Sequence, residues 1–290
     1  MKAGPLADDK QTRTIRVYRA DNRFSESAVS ALRHLLAEVW RQRAHVRLIF
    51  ARDFKASYRG TALGVFWNFA LPLLPVSVYV FLSVIGVFPP TDNLPRGVYV
   101  AFNVTLWLLF SGLVEQPISV VRSRNAEAMK TSMPLSVAVA SSFATLAFET
   151  LLRFLLVAIL AVATGAVPAV TLPLAVGVLL LGALFSLSLG LVLAIANIAV
   201  PDVQSIVIVI MRYGIFVSGV IFPLSAIGQL RWLETVNPFA VFIHATRDLT
   251  FHGSLTYGVP LAVMGAVTIV VTLFSARIFY LMEHRIRGVV

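Results

Sequence analysis

From Ser27 to Phe54 apolar residues recur at helical spacing. Leu32, Leu35, Leu36, Val39, Val46, Ile49, Phe50 and Phe54 share one arc, and Arg33, His34, Arg41, Arg52 and Lys55 lie opposite. Arg43 and Asp53 intrude on the apolar arc; an arginine there can snorkel its charge toward water. The pattern predicts an amphipathic helix within residues 26–59. Such a helix lies in a membrane interface or packs on a partner, and its direct continuation into a long apolar stretch favours the interface. Residues 1–25 are polar, basic and without period, which predicts a disordered tail.

Beyond residue 60 the periodicity gives way to six apolar stretches, at about 63–88, 98–121, 135–164, 171–198, 203–223 and 257–282. Each meets the ~20 residues that cross ~30 Å of hydrocarbon, which predicts six transmembrane helices. Pro72, Pro75 and Pro117 fall inside the first two and should bend them. Two connections stand out. "RSRNAEAMKTSMP", Arg122 to Pro134, predicts a short basic helix stopped by Pro134. Residues 224–256 are too long for a plain connector. Asn237-Pro238 reads as N-cap plus first helical position, and Gly253 as a stop. A further short helix over about 225–234 would complete a re-entrant hairpin. Phe239, Phe242 and Ile243 would let it dip into the outer leaflet, provided protein covers its backbone ends.

Composition agrees with this division: the 290 residues are 58% hydrophobic and only 13% charged, an all-α integral membrane protein by class. The net charge of +10 would suggest nucleic acid in a soluble chain. Here the basic residues crowd ahead of the first span, as topology signals and anionic-lipid contacts do, and no nucleic-acid partner is implied. Lys and Arg flank the spans heavily on the side of the N-terminus, whereas Arg96, Arg231 and Arg247 alone flank the other. The positive-inside rule then puts both termini in the cytoplasm. No secretory signal is evident in the first sixty residues.

Little in the chain can carry bond chemistry. Cysteine is absent, and the five histidines lack metal-ligand spacing, so no metal and no resident cofactor is expected. No G-x-x-x-x-G-K-[ST] phosphate loop, H-E-x-x-H or G-x-S-x-G motif occurs, so no catalytic residue is assigned. Within the spans Glu149 and Arg153 stand i,i+4. They form either an ion relay or a structural pair facing the bundle, and the lack of a chain of further carboxylates beside them favours the second. Phe66, Trp67, Phe69, Tyr79, Trp107, Phe110, Tyr213 and Phe216 are spread over spans one, two and five. They belong to an interfacial belt and lipid-facing packing, or they line a path in which sugar rings stack on aromatic faces.

With "RDFKASYRGTALGVFWNFALPLL", "NAEAMKTSMPL", "VPDVQ", "SGVIFPLS" and "NPFAVFIHATRDLTFHG" in place, the chain resembles the ABC-2 type permeases that export O-antigen, capsule and teichoic acid. The likeness runs through Arg52, Asp53, Phe54, Tyr58, Arg59, Thr61, Leu63, Gly64 and Trp67, and departs at Ser57, where the family carries a basic residue. The resemblance implies an ABC-2 transmembrane domain over residues 60–290 in a bacterial inner membrane. It implies a homodimer with two copies of a separate ATPase that holds the ATP and Mg, and a lipid-linked polysaccharide as cargo. It implies coupling to the ATPase through Arg122, Arg124, Glu127, Met129 and Lys130. It also implies gate helices containing Trp232, Asn237, Pro238, His244 and Arg247. Arg52, Lys55 and Arg59 become candidates for the carrier-lipid headgroup, with positive-inside anchoring as their other reading. A permease for another amphiphile, such as a drug or lipid, would share this topology; a membrane-bound envelope-assembly enzyme would need catalytic clusters that the chain lacks.

Overall fold

The computed structural model describes residues 27–56, 66–88, 94–127, 135–224 and 228–288, and among these every regular element is helical. Two short helices lead, α1 (Ala28–Arg41) and α2 (Arg43–Ala56), followed by α3 (Phe66–Val84), α4 (Arg96–Glu127), α5 (Leu135–Thr164), α6 (Leu172–Ala199) and α7 (Asp202–Val217). The hairpin region holds α8 (Leu233–Val236) and α9 (Pro238–Arg247), and α10 (Gly258–Gly288) closes the chain. Segments α3, α4, α5, α6 and α10 are long and apolar enough to cross a membrane. The protein is thus a multi-pass membrane protein.

The single amphipathic helix expected from 26 to 59 is instead two. Ser27 caps α1 by accepting from the Ser30 amide at 3.2 Å, and the helix stops at Gln42. The break resets the helical phase and lets Arg43 leave the apolar arc. Its guanidinium returns to the Trp40 carbonyl, at 3.2 Å, and lies over the Trp40 ring. Helix α1 packs across the ends of α10 and α5: His34 stacks on Tyr280, and Ser136 donates to Glu38 at 3.3 Å. Helix α2 lies against α5, where Phe54 meets Phe148 edge to face, and its Phe54 carbonyl accepts from Asn68 of α3.

Helix α4 is the axis of the bundle and packs on α3, α5, α6, α7 and α9. Its 32 residues would extend about 48 Å, with residues 98–107 buried without interruption. Helix α6 approaches it most closely because Gly182, Ser186, Gly190 and Ala194 repeat at i+4 along one buried face. Small residues at that spacing let helix backbones meet in lipid, where no hydrophobic force drives helices together. Ser188 adds a hydrogen bond of 2.9 Å to Thr272 of α10.

The fifth expected span ends earlier than residue 223. Helix α7 has 16 residues, about 24 Å of rise, and stops at Val217. Gly219 takes a positive φ of +64° just past the Ser218 cap, the usual stop for a helix C-terminus. Helix α7 still runs between the two ends of the bundle. Gln204 at its start bonds Arg122 and Asn197 at the α1 end, and the turn after it bonds Tyr99 and Asn103 at the other end.

Two further expectations change. The basic 122–134 segment begins as a continuation of α4 as far as Glu127, not as a separate helix. Among the described residues of the stretch where a helix over 225–234 is expected, the regular elements are a 3-10 turn at Gly228–Leu230 and the one-turn α8.

Candidate functional site

The hairpin end gathers several buried polar groups, among them Ser218, Glu234, His244, Arg247 and Asp248, and the sequence explains how they are held. Asn237 caps α9 by accepting from the Phe239 amide at 3.1 Å, while its own amide donates to Ser218 at 2.9 Å. Pro238 takes the first helical position, where its missing N–H costs nothing. The expected cap is therefore in place. Residues Phe239 to Arg247 are all buried. Phe239 packs edge to face with Trp107 and Phe185, and Phe242 lies beside Phe185, so α9 seats its apolar side on α4 and α6 and not on lipid.

After Arg247 the helix widens into a π turn, Asp248–His252, closed by Gly253 at φ +69°. A π turn misaligns carbonyls, and the α5–α6 connection takes them up: Thr171 donates to Leu249 O, and the Ala169 amide to Thr250 O at 2.7 Å. The wide turn also aims Asp248 inward. Arg247 donates to Asp248 at 3.0 Å, Thr256 donates to the other carboxylate oxygen at 2.7 Å, and His252 stands 3.6 Å away. The Arg247 guanidinium lies 4.8 Å over the ring of Tyr99, whose hydroxyl donates to Gly219 O at 3.1 Å. Across the space, Tyr257 donates to Glu234 at 2.7 Å.

These groups, with His244, enclose a cavity of about 130 Å³. His244 is 2% exposed. Its Nε2 abuts Gly219, where an added Cβ would come within 2.7 Å of it. Burial, with Arg247 alongside, pushes the His244 imidazolium down to about 3, so the ring is neutral at ordinary pH. Burial and the Glu234 carboxylate push the Tyr257 phenol up to about 12.

Glu149 and Arg153 form an ion pair of 2.9 Å along α5, and Arg153 Nε also donates to Pro72 O on α3 at 3.0 Å. The arginine thus serves a carbonyl in the stretch where Pro72 and Pro75 interrupt the helical ladder. This arrangement fits a structural pair better than a relay.

At the α1 end, Arg122 donates to Gln204 at 2.7 Å and so ties the end of α4 to the start of α7. Arg124 and Glu127 lie on the last turn of α4, and Met129 and Lys130 fall outside the described residues. Arg52 and Lys55 are exposed on α2; Arg59 is outside the described residues.

The aromatic candidates divide. Phe66 and Phe69 on α3, and Tyr213 and Phe216 on α7, are exposed; Trp67 and Tyr79 are half-buried. Trp107 and Phe110, at 4% and 0% exposure, are core residues packed against Phe239. Of the hairpin residues named from the sequence, Trp232 is exposed and His244 and Arg247 enter the cavity. Tyr99, Glu234, Asp248, His252, Thr256 and Tyr257 went unnamed. They come from α4, α8, the π turn and the turn ahead of α10, and the available signal was a run of ionisable residues inside an otherwise apolar, Phe-rich segment.

Comparison with known proteins gives the architecture a context. Over 248 residues the chain is 27% identical to the O-antigen export system permease protein RfbA of Myxococcus xanthus, spanning 84% of this chain and 95% of that protein. It is 21% identical over 243 residues to the protein of the same name from Klebsiella pneumoniae, spanning 82% of this chain and 92% of that one. Residues 44–251, from α2 through the hairpin, match the ABC-2 type transporter family. A helical bundle spanning that match, with no phosphate loop of its own, belongs to the ABC-2 type transporter family as a membrane permease.

Proposed function

We propose that the chain is the transmembrane half of an exporter that moves a lipid-linked surface polysaccharide of O-antigen type across the bacterial inner membrane. The observation that carries this reading is the nearly end-to-end similarity to two permeases named for O-antigen export. The chain holds no phosphate loop, so a separate ATPase supplies ATP hydrolysis and binds the nucleotide and Mg. Two copies of the permease pair, each with one ATPase subunit. Both termini lie in the cytoplasm by the positive-inside rule, which makes the α1 end the cytoplasmic one.

Force enters at that end. Closure of the ATPases pushes on residues 122–134 and on α1 and α2. The Arg122–Gln204 bond passes the push from the tip of α4 to α7. Helix α7 carries Tyr213 and Phe216 outward, and α3 carries Phe66 and Phe69. Flat aromatic faces tolerate many sugar identities, which suits a polymer that must slide without being trapped. The test is reconstitution with the cognate ATPase in vesicles holding lipid-linked glycan. Glycan should cross only with ATP and the ATPase present; passage through the permease alone, without nucleotide, would end this reading.

Arg52, Lys55 and Arg59 are proposed to gather the anionic phosphate of the carrier lipid. Each basic residue near an anionic surface contributes about 1 kcal/mol. Exchanging all three for Gln should therefore weaken the apparent affinity for lipid-linked glycan, read from stimulated ATPase activity, by about 100-fold. Unchanged stimulation, with insertion and pairing normal, assigns these residues to topology alone.

A further inference from the structure

The cavity at the hairpin end contains polar atoms that the fold does not satisfy. Nδ1 of His244, and Nε and Nη1 of Arg247, are buried without a hydrogen-bond partner among the described residues, while His244 Nε2 faces the Gly219 backbone. The two residues are 2% and 9% exposed. Leaving such groups unpaired forfeits the hydrogen bonds that water gave them, a larger loss for a charge, so something with hydrogen-bonding capacity belongs beside them.

The rest of the lining narrows what that is. Arg247 offers donors, and His244 Nδ1 adds one further polar atom. Asp248 and Glu234 place two carboxylates around the same space. An oxyanion would meet the two carboxylates; a cation would meet the guanidinium. A hydroxyl both donates and accepts, and a set of adjacent hydroxyls answers both walls at once. The volume of about 130 Å³ far exceeds the ~30 Å³ share of one water. Exposed His252 and Thr256 mark its open side, with the Tyr257 ring beside them as an apolar face.

We propose that this pocket binds the hydroxyl-bearing edge of a neutral sugar. The proposal deepens the export reading and rests on it for the source of the sugar, a residue of the glycan leaving on the hairpin side. A site here would hold the emerging chain weakly, one ring at a time, and so oppose its return between power strokes.

The test uses the purified full-length permease in lipid nanodiscs, without ATPase, and methyl α-D-glucopyranoside at tens of millimolar as probe. Saturation-transfer NMR should show magnetisation passing to the hexoside, and H252W, which plugs the mouth, should reduce it at least fivefold. In the wild-type protein the hexoside should slow diethylpyrocarbonate modification of His252 at least threefold, read by site-resolved mass spectrometry. The second measurement stands even if H252W fails to fold. Inorganic phosphate that displaces the hexoside, or protects His252 better, makes this an oxyanion site and overturns the proposal. Neither transfer nor protection leaves a pocket for water alone and overturns it too. Nucleotide-driven glycan transport is scored separately, so failure here leaves the export reading standing.

Discussion

Replacing Gly190 by Leu should abolish assembly of the bundle, and Gly190→Ala should cost about 3 kcal/mol, the upper end of ordinary overpacking. A Cβ at Gly190 would come within 2.6 Å of Leu113 O, 2.7 Å of Val114 O and 2.9 Å of Val114 Cα. All three are backbone atoms of α4, so no side-chain rotation can relieve the clash and the two helices must separate. Separation would strain the neighbouring contacts of Gly182, where a Cβ would strike Phe110 and Phe242, and would loosen the seat of α9. Gly177 on the same helix is the control, because a Cβ there meets nothing within 4 Å. Gly177→Ala should be neutral or gain up to about 1 kcal/mol from helix propensity. Thermal unfolding of the purified variants in one detergent measures both. Equal stability of G190A and G177A would contradict the close α4–α6 approach.

That approach also marks where sequence reasoning stopped. The apolar stretches and the long hairpin were legible because lipid imposes length and polarity on the chain. The Asn237 cap and the Gly253 stop were legible because their backbone chemistry is local. Which face of a span is buried was not. Lipid and protein core are equally apolar, so α4, the buried axis, and α3, mostly exposed, carry similar hydrophobic sequences. Trp107 and Phe110 were grouped with Phe66 and Tyr213 for that reason, although only the latter two face outward. The i+4 series Gly182, Ser186, Gly190, Ala194 was the one signal that could have located the tight interface. The break at Gln42 was signalled too, by Arg43 falling on the apolar side of the stripe directly after it.

The polar pocket is the harder case, since its members meet only through tertiary structure, yet it yields the sharper expectation. His244 on α9 is faced by Arg247 and Asp248 from its own segment, Glu234 from α8, Tyr99 from α4 and Tyr257 ahead of α10. Its folded pKa, lowered to about 3 chiefly by burial, compares with 6.5 for an exposed histidine. Between these values the unfolded chain binds the proton and the folded chain does not, so stability rises with pH across that window. The contribution is fully present above pH 6.5 and is lost progressively as pH falls toward 3. From pH 7 to pH 4 the loss amounts to about 3 kcal/mol at 1.36 kcal/mol per unit. His244→Gln retains a donor and an acceptor without the titration. It should remove most of that acid sensitivity even if it lowers stability at pH 7, because the slope and not the level reports the histidine. Thermal unfolding from pH 4 to pH 7.5 compares the two slopes. Parallel profiles for the wild type and H244Q would mean that His244 does not stay neutral in the folded chain as the pH falls.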